Sequence, residues 1–493
     1  MSKRNVLLIT ADQLRGDALH CTGADFLHTP NLDRLAADGV NFIRGMTPNP
    51  ICVPARACIT TGNYPHRCTG NKNNSGCIRD DQIKIADHFN QHGYRSYALG
   101  KLHYVPYQKP RLLHGFQTAE ITESGRILKQ EQAAGHDLGG EDYHDYLKSV
   151  GYGGMQRAHG CGNNDVHPNV SPIPSEHYVD AWITTRSIHH ISRHRREHPD
   201  QPFFMWTSYP KPHSPYDPPE PYHNHYDPRY IPPPVGSPDL LEGRSRFLTQ
   251  LRDDFDWQHL SPQAIQLCRA RYFGLISFQD VQIGRLLRFL DEQGLADDTI
   301  ILYTADHGDL MGDFGCFFKA NFLNGSVRVP FILRSPAQVP GGQVSRQLVG
   351  LQDVLPTLTS LAGAPLTESV DGVDLTPSVN DPSREVRPCY VAQCFGDPQQ
   401  SYMVFDGRYK YIYSQWDGIE ELYDQQEDPA ELRNLAGQAK NRSRTSNLRG
   451  VLIDWCRDNG DEAALENGDL KKSTIEPPEH PRPIQGRMGW RYF

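Results

Sequence analysis

The sequence has no apolar run near the roughly 20 residues that a membrane-crossing helix needs, so no membrane partner is expected. Its opening Met-Ser-Lys-Arg-Asn leads straight into the short run Val6-Leu7-Leu8-Ile9. That run is too short for the apolar centre of a secretion signal, and a cytoplasmic location is expected. Basic charge is also scarce. Against 59 Asp and Glu there are 50 Lys and Arg, a net charge of -9, which provides no electrostatic footprint for nucleic acid. The eleven cysteines are an odd number, and none stands in the C-x-x-C spacing of a zinc site or redox pair. Reduced thiols in a reducing compartment are the simplest expectation. Internal repeats and low-complexity tracts are also missing.

What is present reads as an enzyme of the α/β class. A chain of 493 residues favours one large domain with a smaller one. Residues 5–12 form a short apolar run ending at Asp12, as a buried strand would. Residues 31–42 have helical spacing, stop at Gly39 and continue as a return strand. A second helix–strand alternation covers Ile83 to Leu99, and Phe203–Trp206 and Ile300–Tyr303 read as further buried strands. Strands alternating with helices predict a large, mainly parallel sheet flanked by helices. Ligands of such sheets bind beyond the carboxyl ends of the strands, where these runs turn polar.

Residues 208–240 are rich in proline, tyrosine and histidine and read as a rigid pocket wall. From about 386 the pattern shifts to short β-like runs, Tyr390–Ala392, Met403–Phe405 and, after the turn Asp406-Gly407, Tyr409–Tyr413. A helix near 444–458 follows. The expected division is a catalytic domain at 1–385, a small antiparallel α+β subdomain at 386–465 and a tail at 466–493. The tail ends in Trp490-Arg491-Tyr492-Phe493. Such an aromatic end docks on its own chain or on a second copy, which makes the tail the candidate contact for a homo-oligomer.

The chemistry concentrates in short strings. Cys52-Val53-Pro54-Ala55-Arg56 precedes Thr60-Thr61-Gly62, and Asp12-Gln13 ends the first strand. Thr304-Ala305-Asp306-His307-Gly308 ends the Ile300 strand, and Lys319 follows it. Gly100-Lys101-Leu102-His103 and Lys211-Pro212-His213-Ser214-Pro215 complete the set. Singly, each has a bland alternative: an inert buried thiol, a capping aspartate, a solvated lysine. Jointly and in this order they resemble the type I, formylglycine-dependent sulfatases of the alkaline-phosphatase-like superfamily. The likeness is to the arylsulfatase, choline-sulfatase and phosphonate monoester hydrolase group, over about residues 5–430.

That resemblance implies that a formylglycine-generating enzyme oxidises Cys52. It implies a metal site of Asp12, Gln13, residue 52, Asp306 and His307, filled by Ca²⁺, with Mn²⁺ or Mg²⁺ as alternatives. Arg56 would orient the nucleophile and Lys101 bridge it to the sulfate. His213 and Lys319 would bind the ester and protonate the leaving oxygen, and His103 would take a proton from the remaining hydroxyl. Asn71 is the candidate sulfate-contacting amide, with Asn73 and Asn74 as alternatives. The reaction implied is hydrolysis of a sulfate monoester on a saccharide or an aryl group. Two rivals remain: a phosphonate monoester or phosphodiester hydrolase, in which Lys101 and His103 would resemble a tyrosine and a threonine, and a non-catalytic metal- or carbohydrate-binding homologue. Tyr104, Tyr107, Tyr216 and Tyr222 are either stacking faces for substrate or packing residues.

Overall fold

The run Asn5–Asp12 is buried at every position after Asn5, as expected of a strand covered on both faces. It is the centre of the sheet. The computed structural model describes residues 3–70, 72–104, 113–124 and 141–475. Asn71, Tyr107 and the end of the tail lie outside them.

The strands are β1 (Asn5–Asp12), β2 (Val40–Phe42), β3 (Gly45–Met46), β4 (Arg95–Gly100), β5 (Thr118–Ile121) and β6 (Phe203–Pro212). They are followed by β7 (Thr299–Ala305), β8 (Phe331–Arg334), β9 (Gln343–Ser345) and β10 (Val349–Gly350). Eight of them form one sheet in the order β5-β4-β6-β1-β7-β8-β2-β9, and β3 pairs separately with β10. The pairings of β1 with β6 and β7, and of β4 with β5 and β6, are parallel. Strand β8 runs antiparallel to both β7 and β2, so the sheet is mixed and mainly parallel. Helices Val179–Glu197 and Pro262–Glu292 pack on each other and on β6. Helices Cys52–Thr61, Ile85–Gln91 and Val354–Leu361 pack together and against β4 and β7. Among the described residues no helix is long and apolar enough to cross a membrane.

A second sheet is an antiparallel meander of β11 (Tyr390–Cys394), β12 (Ser401–Phe405), β13 (Tyr409–Ser414) and β14 (Ile419–Asp424). Its turn at Gly407 has φ of 92°, a conformation glycine adopts without steric cost. The two-residue alternation of strands sends its side chains two ways. Tyr390, Ala392, Met403, Phe405, Ile412 and Tyr423 join the core of the large sheet. Val391, Tyr402, Val404, Tyr411 and Leu422 form a second cluster with Leu448, Leu452 and Cys456 of helix Arg442–Asp458.

Candidate active site

The sheet order sets β4, β6, β1 and β7 side by side. A charged or polar group follows the carboxyl end of each: Lys101, His213, Gln13 beside Asp12, and Asp306 with His307. Gln13 has φ of 68°, and this turn points its backbone N–H at Asp306 Oδ1, 3.0 Å away. The N–H of His307 donates to the same oxygen at 3.0 Å, and Arg56 Nε donates to Asp306 Oδ2 at 2.8 Å. Asp306 is thereby held from both sides in the absence of solvent.

Cys52 opens helix Cys52–Thr61, so Arg56 lies one turn on, on the same face. Cys52 Sγ is 3.0 Å from His307 Nε2 and 3.9 Å from Asp12 Oδ1. Burial pushes its thiol up, but Lys319, His307 and Lys101 outweigh burial and Asp12, and hold it below the ordinary thiol range. Arg56 is fully buried. Besides Asp306, it donates to the Lys101 carbonyl at 2.6 Å and to Ser208 Oγ of β6 at 2.9 Å.

Cations surround this thiol. Lys101 Nζ pairs with Asp12 Oδ2, and Arg56 Nη2 stands 3.7 Å from the same oxygen. Burial would raise the Asp12 carboxyl, but Lys101, His213, Arg56 and His307 together hold it well below the usual carboxylate range. Lys319 Nζ donates to Gln13 Oε1 and lies 3.1 Å from His213 Nε2. The other ring nitrogen of His213 is 2.8 Å from the Ser214 carbonyl, a partner that can only accept, so Nδ1 carries the proton. His103 has φ of 56°, and its backbone N–H donates to buried Glu123 Oε1 at 2.7 Å, beside that of Leu102 at 3.0 Å. Among the described residues the hydrogen-bond partners of Cys52 Sγ are His307 and Asp12.

Ligand atoms of Asp12, Cys52, Asp306 and His307 all lie within 4.8 Å of one another, fully buried. His307 Nδ1 donates to the Gly308 carbonyl at 2.9 Å, which directs the lone pair of Nε2 inward. Two carboxylates and an oriented imidazole fit a divalent cation, and the backbone donor to His307 is the kind of partner that orients metal-bound imidazoles. Sequence reasoning missed the supporting groups. Asp309 accepts from Gln13 Nε2, from Tyr216 Oη at 2.9 Å and from the amides of Met311 and Phe318. Its only signal was its place directly after the Asp306-His307-Gly308 string. Glu123 and Ser208 had no signal. Tyr104, hydrogen-bonded to Thr60, and Tyr216, bonded to Asp309, are buried packing groups. Asn71 lies outside the described residues.

A family model described as Sulfatase matches residues 4–364; the chain belongs to the sulfatase family and is a sulfuric ester hydrolase. A further model, N-sulphoglucosamine sulphohydrolase, C-terminal, matches residues 312–457. The chain is similar to an arylsulfatase of Clostridium perfringens, strain 13 / Type A, at 30% identity over 468 residues, 92% of this chain and 94% of that protein. It is similar to a choline-sulfatase of Rhizobium meliloti, strain 1021, at 32% identity over 448 residues, 88% of this chain and 82% of that protein. The fold is shared with the phosphonate monoester hydrolase of Agrobacterium radiobacter, with a TM-score of 0.79 and 23% identity over 96% of this chain and 100% of the other. It is also shared with a protein solved in complex with its substrate D-glucosamine-2-N,6-O-disulfate, with a TM-score of 0.75 and 21% identity over 93% and 99% of the two chains.

Proposed function

We propose that this centre cleaves the sulfate monoester of a sulfated carbohydrate or an aryl sulfate once a formylglycine-generating enzyme has oxidised Cys52 to formylglycine. Asp12, Gln13, residue 52, Asp306 and His307 would hold the cation, Ca²⁺ for a set dominated by oxygen donors, with His307 admitting Mn²⁺ or Mg²⁺. The observation that carries the reading is the thiol of Cys52, 3.0 Å from His307 Nε2, buried in a metal-type donor cluster and ringed by Lys101, Lys319 and Arg56. The hydrated aldehyde supplies two hydroxyls on one carbon, one to attack sulfur and one to release sulfate, while the cation offsets the charge on the ester oxygens.

The residues of the chain do the rest. Arg56 is held by four acceptors or charges and fixes the face of the helix that presents residue 52. Lys101 and Lys319 bring fixed positive charge to an anionic ester. Lys319 and His213, 3.1 Å apart, hold a proton where the leaving oxygen needs one, and His103 takes the proton of the remaining hydroxyl. The cleft above Lys101 and His213 is lined by Arg157, Asn163, Ser171, Tyr178 and Asp217. These donors and acceptors suit the hydroxyls of a sugar. The phosphonate monoester reading shares the nucleophile and the donor cluster, but assigns no work to Lys101 on Asp12 or to His103.

Protein produced with a formylglycine-generating enzyme should have the mass deficit of exchanging H2S for O at residue 52, and Cys52→Ala should abolish turnover of aryl sulfates. Full activity in Cys52→Ala would refute the nucleophile assignment. Removal of divalent ions with a chelator should also abolish turnover, and Ca²⁺ should restore it better than Mg²⁺ or Mn²⁺. An enzyme fully active in excess chelator has no catalytic metal.

A further inference from the structure

We propose that a cleft between the far edge of the large sheet and the hairpin of the small one is a second binding site, for a sulfate or phosphate group. The group is taken either as the free ion or as a small ester. The cleft has a volume of about 310 Å³, and Arg44, Arg328, Arg346, Arg408, Lys410 and Phe405 line it. None of the residues assigned to the sulfate-cleaving centre does. The site is therefore independent of that reading.

Strand register creates the cluster. Phe42 of β2 pairs with Ser345 of β9, and the Ile43 amide donates to the Ser345 carbonyl at 3.0 Å. Arg44 and Arg346 therefore leave the sheet edge together, and Arg44 Nη1 donates to the Arg346 carbonyl at 3.2 Å. Arg328 is brought in by its bridge to Met46 and bonds the Ile43 carbonyl. The guanidinium of Arg44 lies over the Phe405 ring, 6.0 Å from its centroid.

The charges do not balance locally. Arg408 is paired with Asp424 at 2.8 Å and Lys410 with Glu431 at 2.6 Å. Among the described residues Arg44, Arg328 and Arg346 make no ion pair. Asp17, an acid that feels Arg328, is already engaged by Arg15 at 2.8 Å. Burial, then Arg346 and Arg328, press the Arg44 guanidinium toward losing its proton, and no carboxylate opposes them. Arg44 and Arg328 are half-buried and Arg346 is exposed, and guanidiniums that converge in this way repel one another. Their planar forks match tetrahedral oxyanions, which would relieve that repulsion. The volume is at the small end of ligand sites, about 300–1,000 Å³, enough for one sugar-sized ester.

The test uses the full chain carrying Cys52→Ala, so that no probe is consumed, titrated calorimetrically at low salt with sodium sulfate and with glucose 6-sulfate. Two sulfate sites are expected, and adding Arg44→Gln with Arg346→Gln should weaken one by about tenfold or more, the scale of lost charge-assisted hydrogen bonds. The other site should not change. The same pair of substitutions on the Cys52 enzyme should leave aryl sulfate turnover unaltered. Tighter binding of glucose 6-sulfate at the Arg44-dependent site identifies an ester ligand; equal binding identifies the free ion. No sulfate site in the parent, or unchanged binding in the double variant, overturns the proposal. Should the double variant not fold, crystals of the parent soaked in selenate decide: an anomalous peak between Arg44 and Arg346 is expected, and its absence overturns the site.

Discussion

His103 has the most specific chemical task of any single side chain in the proposed centre. Its backbone is turned to φ of 56° and tied, with Leu102, to one oxygen of Glu123, so the direction in which the ring leaves the chain is set by a buried carboxylate. If His103 removes the proton that lets sulfate depart, His103→Ala should release leaving group in a burst of about one per active site and then turn over slowly. A variant that is slow from the first turnover, with no burst, removes His103 from that task. At this scale Cys52, Asp12, Lys101 and Asp306 were legible because each sits in a short string whose neighbours are informative. Glu123, Ser208 and Asp309 were not. They act on the centre through side chains or amides that only folding brings to them.

Elements are fastened to one another by buried carboxylates that titrate with the fold. Asp280, inside helix Pro262–Glu292, accepts the amides of Leu32 at 2.8 Å and Asn31 at 3.2 Å, capping helix Pro30–Ala37 from outside; its burial lifts it to about 6. Asp180 opens helix Val179–Glu197 and accepts only weakly, from Gln279 Nε2 at 3.3 Å. Burial raises it from 3.8 to about 7, against the pull of Gln279 and Lys211. A carboxyl raised in the folded chain contributes stability that is fully present below its unfolded value and is lost as pH rises through its folded value. Asp180 should therefore weaken the fold as pH climbs from about 4 to about 7, where the folded chain must ionise a carboxyl in its interior. Asp180→Asn removes the proton that titrates. Its urea midpoint relative to the parent should rise over that interval, and a difference independent of pH would refute the assignment. The central strands β1, β6 and β7 were readable as apolar runs, whereas β5, β8 and β9 and the 31-residue helix Pro262–Glu292 were not foreseen. Eighteen of its residues are buried, on several sides, so it lacks the single apolar stripe that marks a surface helix.

The small sheet is part of the whole molecule's core, since alternate residues of β11–β14 close the large sheet's interior. Gln393 of β11 donates its amide to the Pro48 carbonyl at 2.9 Å, and the Ala320 amide, next to Lys319, reaches the Pro50 carbonyl at 3.0 Å. Lys72 Nζ, buried, meets both oxygens of Asp461 at 2.9 and 2.7 Å. A chain ending at residue 385 should accordingly fail to form a protease-resistant, cooperatively melting unit, because it would expose the apolar face that Tyr390, Met403 and Ile412 now cover and lose the ion pair of Lys72 with Asp461. A soluble 1–385 fragment with a sharp thermal transition would contradict this. The nucleophile, the donor strings and the strand–helix alternation were readable in one dimension, because helix and strand periodicity and short motifs are local properties of a chain. The order β4-β6-β1-β7 was not, nor was the gathering of Arg44, Arg328 and Arg346; that residues 12, 52, 101, 213, 306 and 319 share one centre was expected only through the family resemblance, and their distances came with the fold. Coulomb coupling depends on distance through space, and separations of up to about three hundred residues along the chain collapse to a few ångströms only when the sheet has closed.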